Sequence, residues 1–348
     1  MEGVFRQVEV QSVSEAGDES RSEPHPFAQF IRTVGRGPSL SRALTQEEAA
    51  KAMGMILSGM VEPEQLGALL VLMRYRKETP DELAGFVQAS RAAMTIPDFA
   101  HAMLDWPSYA DRHKQLPYFI LAARLLAENG VRVLMHGIPG EGAASTPKAL
   151  AAIGIAPSRD AEDAARRLDR ENFAYLPLDG FCAPLQGLFD MRPILGVRTA
   201  SNTFGRMLNP FAAPCQVQGV FHPNYLSTHC AAAVRLGQRY FAAFKGGGGE
   251  VQRNPEKPCL TVTLRDGKQG EETWPAMADG ARYPWRREPL VPAQIEALWR
   301  GEYEVEAPIA AVIGTAAIAL RVLGQADTPL QAQQTATDMW AARRKALR

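Results

Sequence analysis

The spacing of apolar residues changes once, near residue 100, and that change constrains the fold more than any single motif does. From residue 26 to about 94 the chain repeats at helical spacing. Thr45 and Glu48 form a capping box, in which hydroxyl and carboxylate each satisfy a free backbone donor, ahead of the stripe Ala49, Ala52, Met53, Ile56, Leu57 and Met60. Pro63 opens a second helix with Leu66, Leu69, Leu70 and Met73 on one side, and Thr79, Pro80 and Glu82 open a third. After about residue 100, short apolar runs at 131–135, 173–176, 217–221, 240–244 and 260–264 alternate with amphipathic stretches at 116–128, 147–153, 161–170, 223–236, 308–323 and 330–347. Strands separated by helices imply an α/β sheet with helices packed on it. The expected fold class is α/β with a small all-helical N-terminal domain, the helical part at 26–98 and the α/β part at 99–348. A chain of 348 residues is also longer than one core usually fills.

The first 25 residues stand apart. They carry six acids against Arg6 and Arg21 and little that could be buried, which predicts a disordered acidic tail. The formal net charge is zero, so the remaining 323 residues are mildly basic, at +4. No apolar run reaches the roughly 18 residues of a membrane span, and the start lacks the basic and apolar parts of a secretory signal. A cytoplasmic protein without membrane contact is expected. Cys182, Cys215, Cys230 and Cys259 are widely spaced, which suits reduced core fillers better than a zinc site or a disulfide framework.

Two glycine-rich turns follow strand candidates: His136-Gly-Ile-Pro-Gly-Glu-Gly142, and Lys245 with the four glycines before Glu250. At the carboxyl edge of an α/β sheet such turns suit an anion site, because glycine lets backbone amides approach a phosphate. Neither is a Walker loop or a dinucleotide fingerprint, and a glycine run also serves as a flexible connection. His136 has the chemistry of a general base, and equally of a structural hydrogen bonder.

Leu44-Thr-Gln-Glu-Glu-Ala, Lys77-Glu-Thr-Pro-Asp-Glu-Leu-Ala-Gly, Met135-His136-Gly137, and Leu195-Gly-Val-Arg-Thr199 followed by Asn202 and Leu208-Asn209-Pro210 together resemble anthranilate phosphoribosyltransferase and its relatives in glycosyltransferase family 3. The resemblance runs over nearly everything from Phe27 to Ala346. It implies the anthranilate phosphoribosyltransferase-like (nucleoside phosphorylase/phosphoribosyltransferase) fold and a homodimer formed through the helical domain. The departures are concentrated in the site. The family's Gly-Thr-Gly-Gly-Asp diphosphate loop falls on Pro107-Ser108-Tyr109-Ala110-Asp111, where only Asp111 matches. Its Asn-Ile-Ser-Thr falls on Pro117-Tyr118-Phe119-Ile120, and of an acidic metal-holding pair the resemblance leaves Glu250. Proline deletes a donor, and side chains at glycine positions block backbone approach to an anion. Asp111, His136, Arg192 and Glu250 remain as vestiges of a catalytic site, with no metal or cofactor site expected.

Cations stand among the altered positions: Arg112, His113 and Lys114 after the loop, then Lys148, Arg206, Lys245 and Arg253. A spread of cations suits a polyanion held by its backbone. The pattern resembles the divergent YbiB-type branch of the superfamily, which implies DNA or RNA binding without strong sequence preference. Two alternatives stay open. One is a phosphoribosyltransferase with an unknown acceptor, which would need magnesium and phosphoribosyl diphosphate. The other is a catalytically silent protein-binding dimer.

Overall fold

A computed structural model describes residues 23–110, 114–277 and 282–343. The expected acidic tail falls almost wholly outside these residues.

Four helices come first: α1 (Ala28–Gly35), α2 (Gln46–Leu57), α3 (Pro63–Arg76) and α4 (Pro80–Ala92). The capping boxes at Thr45 and Thr79 are formed, and Pro63 sits in the first turn of α3. The sequence predicts three helices here. The extra one, α1, buries Phe30 and Val34 but has no side-chain cap to mark its start. Gly85 lies where α4 crosses α2, and a Cβ there would collide with the Gln46 carbonyl oxygen, so this close helix crossing requires glycine.

The second part runs β1 (Leu104–Ser108), α5 (Phe119–Glu128), β2 (Val133–Gly137), α6 (Thr146–Ala152), α7 (Ala161–Glu171) and β3 (Phe173–Pro177). It continues through α8 (Asp179–Asp190), α9 (Arg192–Leu195), α10 (Ser201–Phe204), β4 (Cys215–Val220), α11 (Leu226–Arg235) and β5 (Tyr240–Lys245). It ends with β6 (Cys259–Arg265), β7 (Lys268–Trp274), α12 (Ala293–Arg300), α13 (Glu306–Val322) and α14 (Pro329–Ala342). The expected boundary at 98/99 lies in the connection between α4 and β1.

The strands form one sheet in the order β3-β2-β1-β4-β5-β6-β7, parallel through β5 and antiparallel beyond it. Strand β1 is absent from the sequence-based expectation because it carries Asp105 and Pro107. Proline is tolerated because the pairing of β1 with β4 ends at Asp105, so no donor is needed on that side. The β6–β7 hairpin turns at Asp266-Gly267, both at positive φ (45° and 79°), as a tight turn between twisted strands demands.

One face of the sheet packs on α5 and α13 through Trp106, Met135, Val217 and Phe244. The other buries Leu134, Ala174 and Leu176 with α7 and α8 in a cluster continuous with the helical domain. Arg235 on α11 and Asp81 on α4 pair at 2.7 Å across the two parts. All four cysteines are free and buried. No helix among the described residues is long and apolar enough to cross a membrane.

Candidate functional site

From β1 the chain winds one way through β2 and β3 and the other way to β4 and β5, so the strand order reverses between β1 and β4. The crevice outside the carboxyl ends of the strands at such a reversal is where open α/β sheets bind ligands. The described segments that lie there are 109–110, 114–118, 221–225 and 246–250.

The first of them is closed by packing. Tyr109 is buried, its ring centroid 5.5 Å from that of Phe189 and 5.4 Å from that of His136. Any Cβ on Gly205 would crowd the Tyr109 ring, so the backbone just after α10 packs directly on it. The Tyr109 hydroxyl lies 2.9 Å from His136 Nδ1, and His136 Nε2 is 3.1 Å from Asp105 Oδ1. Gln216 donates to Asp105 Oδ2 at 2.6 Å, and Gln218 Nε2 donates to Gln216 Oε1 at 2.9 Å. Burial and the Asp105 charge push the Tyr109 phenol well above its ordinary range, so its O–H stays protonated. His229 Nδ1 is 2.6 Å from Gln218 Oε1, and burial pushes this imidazole down to about 3, so it is neutral. His136 is thus the centre of a buried polar layer under the sheet, with no exposed surface.

The start of α5 is closed too. Gln252 Oε1 accepts from the Phe119 N–H at 3.0 Å, Glu288 accepts from the Leu116 N–H at 2.7 Å, and Tyr118 and Phe119 are buried.

The glycine turn after β5, expected to offer amides to an anion, directs most of them inward. Gly246 donates to Val220 at 3.0 Å, Gly247 to Gln252 at 2.8 Å, Gly249 to Gly246 at 3.1 Å and Glu250 to Gly247 at 3.1 Å. A Cβ on Gly246 would collide with the Glu250 carbonyl oxygen, so glycine here permits a tight fold-back of the chain. Glu250 itself is buried. One carboxylate oxygen accepts from the Ala110 N–H at 2.5 Å, and the other has no hydrogen-bond partner of ordinary geometry among the described residues. Burial raises its pKa against the opposing pull of Arg206.

The sequence-predicted cations separate into three groups. Lys114, Lys148 and Lys245 are exposed, with Lys148 donating to the Gly142 carbonyl at 3.0 Å. Arg206 is at the cleft but only 8% exposed, and it braces the site by donating to the carbonyls of Asn202 at 3.2 Å and Gly249 at 2.7 Å. Arg253, expected at the rim, is a correction. It is fully buried, against the Trp274 ring at 5.5 Å and bonded to the Pro275 carbonyl, so its charge meets the core rather than a ligand. Asp111, Arg112 and His113 lie outside the described residues.

Sequence reading misses Arg198, although it stands within the quoted Leu195–Thr199 stretch. Its charge lowers the pKa values of Arg192 and Arg206 and pulls on Glu250, so it lies within electrostatic reach of all three. Among the described residues, no group of three or more His, Cys, Asp or Glu is placed to hold a metal ion.

Residues 28–94 match the model of the glycosyl transferase family helical bundle domain, and residues 119–341 match that of the same family's a/b domain. The chain belongs to this glycosyl transferase family. Within the superfamily, YbiB of Escherichia coli K12 is 28% identical over 246 residues, covering 69% of this chain and 76% of YbiB. Anthranilate phosphoribosyltransferase of Methylocella silvestris is 31% identical over 227 residues, 65% of each chain. The crystal structure of the Thermus thermophilus anthranilate phosphoribosyltransferase aligns at a TM-score of 0.75 and 25% identity, covering 91% of this chain and 94% of that one. The Saccharomyces cerevisiae enzyme in complex with PRPP and Mg aligns at 0.74 with 14% identity, over 91% and 93%, a likeness of fold. The anthranilate phosphoribosyltransferase-like fold expected from the sequence is the fold of this family member.

Proposed function

We propose that this family member binds DNA or RNA through phosphate contacts at the strand-end crevice, on a scaffold whose phosphoribosyl diphosphate site is disabled. One observation carries the reading. Most amides of the turn after β5 are engaged within the chain, while the exposed Lys245 and the Arg206 guanidinium, with Arg198 in electrostatic reach of it, bring positive charge to the strand ends. A flexible polyanion needs charge spread along a surface rather than a tight cradle. Tyr109, in the segment aligned with the diphosphate loop, takes up volume there with its ring. Dimerisation through the helical part is proposed with it. Val71 and Tyr75, one turn apart on α3, are exposed, as is Met60 just before that helix.

Calorimetric titration with phosphoribosyl diphosphate and magnesium, beside fluorescence anisotropy with labelled DNA and RNA, tests the reading. Nucleic acid should bind and the diphosphate should give no saturable heat. Micromolar binding of the diphosphate would overturn the disabled site.

A second reading, phosphoribosyl transfer to an unknown acceptor, draws support from the family relation and from the Glu250 oxygen that has no partner among the described residues. It requires the turn after β1 to rearrange, with Tyr109 leaving its packed position.

A further inference from the structure

Phe221 is the first residue beyond β4, at the point where the strand order reverses, and 50% of its surface is exposed. A large aromatic side chain at a crevice mouth gains little stability there, since half its apolar area stays in water. Its surroundings are those of a charged platform. The His222 ring stands 4.7 Å away at 81° and is also exposed. Lys245, exposed, lies across the β4–β5 register from Val220, the residue before Phe221. A Cβ placed on Gly249 would lie 3.4 Å from the Phe221 Cβ and 3.7 Å from Arg206 Nη2, so backbone without side chain separates ring from guanidinium.

An exposed ring at the crevice mouth, with the exposed Lys245 at the end of the neighbouring strand, offers what an unpaired nucleotide needs, a face for the base and a cation for its phosphate. In a duplex the base faces are covered by their neighbours, and the same ring has nothing to stack on. Resting on the nucleic-acid reading, we propose that Phe221 is a stacking platform for one unpaired base, which makes single-stranded DNA or RNA the preferred ligand of the crevice.

The test compares wild type, Phe221→Ala and Phe221→Trp by anisotropy, on a single-stranded oligonucleotide and on its duplex at one salt concentration. An oligonucleotide carrying 2-aminopurine reports stacking by quenching. Phe221→Ala should weaken single-strand binding by roughly 5- to 150-fold, leave duplex binding and the salt slope unchanged, and abolish the quenching. Phe221→Trp should retain both affinity and quenching. If wild type binds neither ligand, the nucleic-acid reading fails and this proposal with it. If wild type binds but Phe221→Ala binds both ligands as before, or loses affinity equally for both, the stacking platform is wrong and the phosphate-contact reading stands.

Discussion

The Ala110 N–H donates to Glu250 at 2.5 Å, tying the turn after β1 to the turn after β5 across the end of β4. The Tyr109–His136 contact likewise ties the end of β1 to β2. Together they make the site a braced surface rather than an open cradle, and each brace has a measurable consequence.

Tyr109→Phe keeps the ring and deletes the hydroxyl that is hydrogen-bonded to buried His136 Nδ1, which should cost about 1–3 kcal/mol in denaturant unfolding. Tyr109→Ala also empties the space between Phe189 and Gly205 and should cost about 3–5 kcal/mol. Equal stability of Tyr109→Phe and wild type would mean that the hydroxyl has no structural role.

Glycine positions separate by what surrounds them. Gly246→Ala forces a Cβ into the Glu250 carbonyl and should cost more than about 1–3 kcal/mol, because the clash is with backbone. Gly54→Ala, mid-helix in α2 with open space around it, should stabilise by about 0.5–1 kcal/mol. Thermal melts of the two variants should move in opposite directions.

Glu78, between α3 and α4, is 5% exposed, and neither carboxylate oxygen has a hydrogen-bond partner among the described residues. Burial pushes its pKa up to about 7, with the Glu82 charge adding to the rise and Arg74 opposing it, while Tyr225 lies within reach of its charge. The folded state therefore holds this proton more tightly than the unfolded chain. Its contribution is present below the ordinary carboxylate range and is lost as pH rises toward 7, by about 3 kcal/mol at most. Glu78→Gln should leave stability at pH 4 nearly unchanged and raise it at pH 8. A variant less stable than wild type at pH 8 would contradict this.

The exposed pair on α3 makes the dimer testable. Light scattering at micromolar concentration should give twice the 38.0 kDa chain mass, and Val71→Asp with Tyr75→Asp should shift it toward the monomer. A monomeric wild type would remove the dimer.

Much of this architecture is legible in the sequence, for identifiable reasons. The capping boxes at Thr45 and Thr79 are local chemistry, and local chemistry survives folding. Strand β1 escapes because Asp105 and Pro107 interrupt an apolar run, and their tolerance depends on partners far along the chain. Strand β7 carries no apolar side chain before its last residue, the buried Trp274, although the Asp266-Gly267 hairpin signal stands directly before it. Depth is what a sequence cannot display. Arg206, Arg253 and Lys245 look alike in one dimension, yet one braces carbonyls, one fills the core and one faces water. Arg198 is easily passed over because the clearest signal of its stretch is family resemblance rather than charge.

The most direct test of phosphate contact at the crevice is the salt dependence of binding to a single-stranded oligonucleotide, for wild type and for the Lys114, Arg192, Arg198 and Lys245 to alanine quadruple variant. Arg206 is left intact because it supports the fold through the Asn202 and Gly249 carbonyls. Removing one phosphate contact should flatten the slope of log affinity against log salt by about 0.7. The weakening should be alike on unrelated sequences, and circular dichroism should show the variant folded. A folded quadruple variant that binds with the wild-type slope would contradict the account, because the polyanion would then be held elsewhere.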